Sequence, residues 1–207
     1  MARNKARWMM ASFLVATLAL AGAGVAYSHW QQNLYIGSSV DTGTVTVGFS
    51  KLSCTEGHYD EHGIYHIGEI GGKDVGKVTA NYTDLITDPI TGKSGYKGII
   101  VNITNAYPCY VVNLTVFVHN LGTVPVKVTG INITDPTGEL IWDPGMSALK
   151  DATTGKPIIK VTITNLVGEQ IDPCEENAVD FEFHFKQDAE QEKTYRFLIT
   201  IEAVQWM

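Results

Sequence analysis

Basic residues are scarce in this chain of 207 residues, which has 15 Lys and Arg against 22 Asp and Glu. Three of the basic residues, Arg3, Lys5 and Arg7, lie within the first 26 positions. The remainder therefore has 12 basic against 22 acidic side chains, a formal net charge of −10. A surface this acidic repels phosphate groups. We therefore expect neither nucleic acid nor anionic lipid as a partner.

Motifs that carry catalysis are also missing. There is no H-E-x-x-H pair for a zinc hydrolase, no G-x-S-x-G elbow, and no Gly-rich loop between a strand and a helix. The richest polar cluster lies in residues 56–69, and its members are Glu56, His58, Asp60, Glu61, His62, His66 and Glu69. Gly57, Gly63 and Gly68 favour a loop here, either a solvated acidic loop or a site for a divalent metal. We expect no metal, no cofactor and no enzymatic activity, with a metal-dependent hydrolase at His58–His66 as a remaining alternative.

Cysteine is rare, with three residues at positions 54, 109 and 174. An odd number in an exported chain allows at most one internal bridge. Cys109 and Cys174 occupy similar sequences, Tyr-Pro-Cys and Asp-Pro-Cys, and each precedes an alternating run. This similarity favours a Cys109–Cys174 bridge, while the other pairings and three free thiols remain open.

One long apolar run is present, from Trp8 to Val25, behind the basic residues at the N-terminus. Gly24-Val25-Ala26 ends it with the small residues that a signal peptidase requires. The pattern predicts a signal peptide over residues 1–26 and a secreted protein. The run also reaches the roughly 18 residues that a membrane span needs, so a retained anchor is the alternative.

After the leader, apolar and polar residues alternate in short runs separated by turn signals such as Asp88–Gly92. The runs cover residues 44–49, 77–82, 99–104, 113–119, 126–133, 159–163, 179–186 and 195–203. The alternation changes phase at Gly130, which indicates a β-bulge. Residues 143–157 are predicted to be a loop. About nine short strands and no helical pattern predict an all-β fold, an antiparallel β-sandwich of jelly-roll or Ig-like type in one domain, residues 38–207.

Four N-x-T sequons lie within these runs. Their asparagines are Asn81, Asn102, Asn113 and Asn132. In each case the neighbouring apolar residues have the opposite parity, so alternation turns all four side chains away from the core. A glycan needs this exposure, and we expect glycosylation of at least some of them. The alternative is that Asn and Thr are simply common on the polar face of strands.

Four short segments together resemble a known family. They are YSHWQQNLYI at 27–36, VDTGTV at 40–45, YPC at 107–109 and VHNLGTVPVKV at 118–128. They are similar to the TasA/camelysin family of exported β-sandwich matrix proteins, especially to its archaeal bundling pilins. The resemblance covers most of the chain after the leader, and its best motif is the leader followed by an extended segment and T-G-x-V.

The resemblance implies a subunit of an extracellular filament, a pilus or a biofilm matrix fibre. In that family the N-terminal segment of the mature chain leaves its own subunit and completes a sheet of the next. Here that donor strand is residues 27–37, and Trp30, Leu34 and Ile36 share one parity, as a strand with one apolar face requires. The implied partners are identical subunits in a head-to-tail homopolymer, with neighbouring filaments beyond them. The alternative is a monomeric, membrane-anchored binding module of the cell surface.

Overall fold

The computed structural model describes residues 2–28, 43–68, 76–164, 166–190 and 192–206. The predicted leader lies in one helix, α1 (Ala2–Ser28). The chain divides into two compact units, Met1–Asp41 and Thr42–Met207, and every strand among the described residues belongs to the second. Within the described ranges, no helix combines the length and the apolar character that crossing a membrane requires.

The described part of the second unit contains fourteen strands. They are β1 (Val47–Tyr59), β2 (Tyr65–Ile67), β3 (Lys77–Tyr82), β4 (Leu85–Thr87), β5 (Ser94–Tyr96), β6 (Gly98–Thr104), β7 (Tyr110–Asn120), β8 (Val126–Thr134), β9 (Leu140–Asp143), β10 (Ala148–Asp151), β11 (Pro157–Ile163), β12 (Gln170–Ile171), β13 (Glu176–Phe185) and β14 (Thr194–Gln205).

The strands form two antiparallel sheets. Sheet A has the order β4-β5-β1-β7-β13-β11-β10-β9, and β2 pairs in addition with β1. Sheet B has the order β12-β8-β14-β6-β3. Strand β7 therefore lies inside sheet A, between β1 and β13, whereas β3 ends sheet B.

Alternation along the central strands builds a core that both sheets share. In β7, Leu114, Val116 and Val118 are fully buried, while the residues between them face outward. The ring of Phe183 on β13 lies 4.6 Å from that of Phe197 on β14, measured between centroids. This contact joins sheet A to sheet B. Large apolar side chains of this kind contribute most of the stabilisation of such a core.

The prediction of an all-β fold is confirmed, but the number of strands is not. The eight alternating runs correspond to β1, β3, β6, β7, β8, β11, β13 and β14, and the register shift of β8 against β14 beside Gly130 confirms the bulge. The sequence did not reveal the six strands of two to four residues, which are too short to show alternation. Strand β10 lies inside the predicted loop 143–157, where it pairs with β9 and β11.

Candidate functional site

Strands β1 and β3 lie beside each other and leave backbone groups open. On the side of β1 that faces away from β7, the described residues pair with it at Phe49, through β5, and at Gly57–Tyr59, through β2. Between these points no described strand pairs with Leu52–Glu56 on that side, although at its end the carbonyl of Glu56 accepts a 3.0 Å hydrogen bond from the N–H of Gly68. Strand β3 is likewise paired there with β6 alone. We call Leu52–Glu56 together with Lys77–Tyr82 the open edge.

Side chains that point from the open edge towards the core are only partly covered. Leu52 and Cys54 on β1, and Val78 and Ala80 on β3, are half-buried and pack against the core. The residue opposite Cys54 on β7, Leu114, is fully buried. The open edge therefore combines unpaired backbone with an incompletely covered apolar surface. A bare edge of this kind is a template for pairing with another strand.

Tyrosine side chains join the two strands at one end of the open edge. The hydroxyl group of Tyr82 on β3 donates a 3.1 Å hydrogen bond to the backbone carbonyl of Ser50 on β1. The ring of Tyr82 stacks on that of Tyr96, with 4.2 Å between the ring centroids. Burial, followed by the neighbouring Tyr96, raises the pKa of Tyr82. Its hydroxyl group therefore remains a donor at neutral pH.

Towards its other end the open edge becomes polar. Glu56 accepts a 2.5 Å hydrogen bond from the hydroxyl group of Tyr110, whose ring is fully buried. Burial, with a smaller contribution from the charge of Glu56, raises the pKa of the Cys54 thiol to about 11. The thiol is therefore neutral at ordinary pH and adds to the apolar part of the surface.

The residues that would occupy such an edge are not among those described. Trp30, Leu34 and Ile36, the predicted donor residues, lie outside the described ranges. The described chain resumes at Gly43, four residues before β1 begins. What the structure does show is how the chain is held where it enters the domain.

Residues 43–46 are anchored against the loop that follows β7. The N–H of Thr44 donates to Thr123 Oγ1 at 2.9 Å, and the N–H of Thr123 donates to the carbonyl of Thr44 at 3.1 Å. The N–H of Leu121 donates to the carbonyl of Thr46 at 2.8 Å. Two of the segments that carry the family resemblance, VDTGTV and VHNLGTVPVKV, therefore contact each other directly.

Gly122 and Asn120 make this close approach feasible. A β-carbon at position 122 would lie 2.2 Å from the carbonyl oxygen of Thr44, so a side chain there is sterically excluded. Asn120 is fully buried, and its amide donates to the carbonyls of Val124 and Ile171 at 2.9 Å and accepts from the N–H of Gly122 at 3.0 Å. A buried amide with these partners holds the loop in one conformation.

Asp88 is a buried carboxylate that sequence reasoning assigned only to a turn. Its oxygens accept hydrogen bonds from the hydroxyl group of Thr46 at 2.7 Å and from the N–H groups of Ile90 and Thr91 at 3.0 and 2.8 Å. Burial alone would raise the pKa of Asp88, but the nearby hydroxyl group of Thr44, which lowers the pKa most, and these hydrogen bonds outweigh burial and hold the pKa well below its usual range. The alternating pattern around it could not identify this role, because Asp88 contacts a segment 42 residues away.

The prediction of a loop over residues 56–69 is wrong, because most of this region is a β-hairpin. Strand β1 continues to Tyr59 and pairs with β2, which places His58 directly opposite His66. Cross-strand pairing needs an unobstructed approach, and Gly57 provides it, since a β-carbon there would lie 2.3 Å from the carbonyl oxygen of His66.

The histidines of this hairpin make contacts with each other and with one carboxylate. The rings of His58 and His66 stack with 5.4 Å between centroids, and His66 Nε2 lies 3.0 Å from Asp60 Oδ2. This hydrogen bond, and others from backbone N–H groups, lower the pKa of Asp60. Within the described residues, no group of three His, Cys, Asp or Glu side chains is arranged to hold a metal ion. Glu69, the last member of the cluster, lies outside them.

The predicted Cys109–Cys174 bridge is wrong, since Cys54, Cys109 and Cys174 are all free. Cys109 immediately precedes β7, whereas the N–H of Cys174 donates to the carbonyl of Asn120, the last residue of β7. The two cysteines therefore lie at opposite ends of an 11-residue strand. At about 3.4 Å per residue this separation far exceeds the roughly 7 Å limit for the α-carbons of a disulfide.

The similarity between the two cysteine sequences reflects a shared turn. In Tyr107–Tyr110 and in Asp172–Glu175, the fourth residue donates its N–H to the carbonyl of the first at 3.0 Å. Proline is second in both turns, and Cys109 and Cys174 are third, with φ of 71° and 72°. This is the geometry of a type II turn. Each turn starts one strand of the antiparallel β7–β13 pair.

The four sequon asparagines lie on the outward faces of their strands, as alternation predicted. Asn81 on β3 and Asn132 on β8 are exposed, and Asn102 on β6 and Asn113 on β7 are half-buried. Their apolar neighbours Val101, Ile103, Val112, Leu114 and Ile133 are buried. Glycosylation itself stays a prediction.

Comparison of the chain with models of protein families, with curated proteins and with solved structures found no match in any of the three. The resemblance to the TasA/camelysin family therefore stays a prediction that rests on the four segments quoted above. Three features of the described domain bear on function: the open edge, the outward faces of the sheets, and the hydrogen bonds that attach residues 43–46 to the loop after β7, which we call the anchor.

Proposed function

We propose that this protein is a secreted structural subunit of an extracellular filament, a pilus or a biofilm matrix fibre. Its two sheets form a β-sandwich, and residues 27–37 of one copy add to the open edge of the next. The observation that carries the proposal is the open edge itself. There, unpaired backbone and half-buried apolar side chains occur together in the described part of a domain whose inner strands are fully covered.

Strand addition matches the chemistry of both partners. Backbone groups of the donor strand would pair with those of β1 or β3, while alternate side chains enter the apolar surface. Trp30, Leu34 and Ile36 share the parity that this requires. Burying each of the two aliphatic side chains would stabilise the joint by roughly 1.5–3 kcal/mol before the cost of ordering the segment. Its 11 residues are long enough to cover either side of the open edge, five residues on β1 or six on β3.

The anchor would transmit force between neighbouring subunits and would help to fix their relative orientation. The donor strand would leave the domain just before residues 43–46, which several hydrogen bonds attach to the loop after β7. The described chain therefore enters the domain at one fixed position. Because donation from one copy to the next is a heterologous contact that does not close, it propagates as a fibre.

Other parts of the proposal follow from the leader and the surface. The signal peptide 1–26 directs export, and the sequons carry glycans. The partners are identical subunits and, laterally, neighbouring filaments. The protein acts as a building element, without a cofactor and without catalysis. A monomeric module of the cell surface that keeps its N-terminal leader is the second candidate, with the length of the apolar run Trp8–Val25 in its favour and, against it, the failure of α1 to combine the length and apolar character of a membrane span.

Deletion of residues 27–37 behind an intact leader tests the proposal. We expect secreted, folded monomers that form no filaments in negative-stain micrographs. Filaments of normal morphology from the deleted protein would contradict donation. N-terminal sequencing of the surface material separates the two candidates, because a mature N-terminus near Tyr27 supports the filament subunit and a start at residues 1–3 supports the anchored module.

A matched pair of substitutions tests the acceptor. Leu52→Asp places a charge on the inward side of the open edge, and Ser53→Asp places it on the exposed outer face of the same strand. We expect Leu52→Asp to prevent polymerisation and Ser53→Asp to permit it, with circular dichroism verifying that both variants fold. Should Leu52→Asp fail to fold, a bulky maleimide on Cys54 replaces it as the block, in protein that also carries Cys109→Ser and Cys174→Ser so that Cys54 is the thiol that reacts. Polymerisation with the inward side blocked would exclude the open edge as the acceptor.

A further inference from the structure

The outward face of sheet A has a depression of about 370 Å³ beside one of the sequons. Asn113 on β7 lies directly opposite Glu182 on β13, and Glu182 lies directly opposite Thr162 on β11. Thr115 and Asp180 form the next such pair along the strands. The sequon asparagine is thus at the margin of a cavity whose walls come from three neighbouring strands.

The polar groups of the depression are hydroxyls and carboxylates held in place. The hydroxyl group of Thr115 donates to Asp180 Oδ1 at 2.6 Å. Glu182 Oε2 accepts a 3.0 Å hydrogen bond from the hydroxyl group of Tyr59. With two carboxylates on its wall, the depression disfavours an anion, and it favours a neutral ligand that presents several hydroxyl donors. Carbohydrate has this chemistry.

We propose that Asn113 is glycosylated and that the first sugars of its glycan lie in this depression, with hydroxyl groups donating to Asp180 and Glu182. The inference rests on the proposed glycosylation. It adds which asparagine carries the glycan, the depression that holds its first sugars, and the class of those sugars. The acidic wall accommodates a neutral sugar next to Asn113, a hexose or an N-acetylhexosamine, and would repel the carboxylate of a uronic acid.

The attachment is a balanced group transfer. A bond forms between Asn113 Nδ2 and the anomeric carbon of the sugar, and the bond between that carbon and a phosphate oxygen of a lipid-phosphate-linked oligosaccharide breaks. The phosphate leaves with the electron pair, and the amide gives up one proton. No oxidant or reductant takes part.

The surroundings of Asn113 differ from those of two other sequon asparagines. Asn81 lies on β3, the last strand of sheet B, where a glycan would extend into solvent. The amide of Asn132 donates to Glu202 Oε1 at 3.1 Å and is already paired. Asn113 has strands on both sides, so a glycan there lies over the sheet, and contacts with it should raise the stability of the folded domain.

Site-resolved mass spectrometry of filaments from the native host is the first test. We expect a modified Asn113 whose innermost sugar is neutral. An unmodified Asn113, or an innermost uronic acid, would overturn the inference. Neither result bears on polymerisation, which micrographs of the Asn113→Gln variant measure separately, so failure of this inference and failure of the proposed filament are distinguishable.

A double-mutant cycle is the second test, with Thr162→Val in the depression and Thr153→Val, an exposed threonine in the turn between β10 and β11, as its control. We expect Thr162→Val to lower Tm by about 2–4 °C more in protein from the native host than in protein from a bacterium without the transferase. This excess loss should vanish in Asn113→Gln, and Thr153→Val should show no excess loss. If Thr162→Val lowers Tm equally in both preparations, or if the excess loss persists in Asn113→Gln, the proposed contact between the glycan and the depression is wrong.

Discussion

The hydroxyl group of Thr46 donates a 2.7 Å hydrogen bond to Asp88 Oδ2, which joins the segment before β1 to the turn between β4 and β5. Thr46 also accepts the backbone N–H of Leu121. The point at which the chain enters the domain is thus held from two directions. In a filament built by strand donation, this is the position that would bear tension between neighbouring subunits.

Asp88 should make the domain sensitive to acid. Its pKa lies well below the usual range in the folded state and near 3.9 in the unfolded state, so its contribution to stability is complete above about pH 5 and is lost as the pH falls. We expect Asp88→Asn to be less stable than the wild type in urea at pH 6 and to lose less stability between pH 6 and pH 3. Asp84→Asn, at an exposed position, is the control. An unchanged pH dependence in Asp88→Asn would contradict the assignment.

Gly122→Ala should destabilise the anchor. The new β-carbon would meet the carbonyl oxygen of Thr44 at 2.2 Å, and the chain must shift to accommodate it. We expect the free energy of unfolding to fall by about 1–3 kcal/mol. Gly130→Ala is the matched control, because the nearest atom to its β-carbon is 3.5 Å away. Denaturant melts of both variants measure the difference, and equal losses would show that the contact with Thr44 is not responsible.

Cys174→Asn should stabilise the domain. Residue 174 has a φ of 72°, a left-handed conformation that costs most residues with a side chain roughly 1–2 kcal/mol and that asparagine tolerates best. We expect an increase of up to about 1 kcal/mol in the free energy of unfolding. Cys174→Ser removes the thiol but keeps the conformational cost, so it should give no comparable gain. If Cys174→Ser is as stable as Cys174→Asn, the gain in the free energy of unfolding comes from removal of the thiol and not from relief of the backbone conformation.

Alkylation should report on the open edge. Because the pKa of Cys54 is raised to about 11, its reaction with iodoacetamide should be slow at pH 8 and should rise about tenfold per pH unit up to that value. Exposed Cys174 provides the internal comparison, read by peptide mass spectrometry. Assembly into filaments should slow the reaction of Cys54 with iodoacetamide further, and the rate should still rise about tenfold per pH unit. Labelling of Cys54 at equal rates in monomer and filament would place the joint elsewhere.

Much of the fold could be predicted from local pattern, and the errors have physical causes. The runs around Leu114 and Phe183 alternate over many residues, so their strands were identified correctly. The short strands β9 and β10 show no alternation by which they could be identified. Pairing with neighbouring strands holds them in the sheet. In residues 56–69 the glycines suggested a loop, although Gly57 serves the close approach of β2. The cysteine pairing failed because similar sequences marked similar turns, not neighbouring positions.

The sequence by itself determined that the chain is acidic, that its strands alternate and that four sequon asparagines face outward, because these properties depend on composition and on a period of two residues. Only the tertiary structure decided which strands leave an open edge, that Asp88 is buried under Thr46, and that Asn113 borders a depression with Asp180 and Glu182. The last two depend on residues 42 and 67–69 positions apart, and local sequence carries no record of which distant strands will pair.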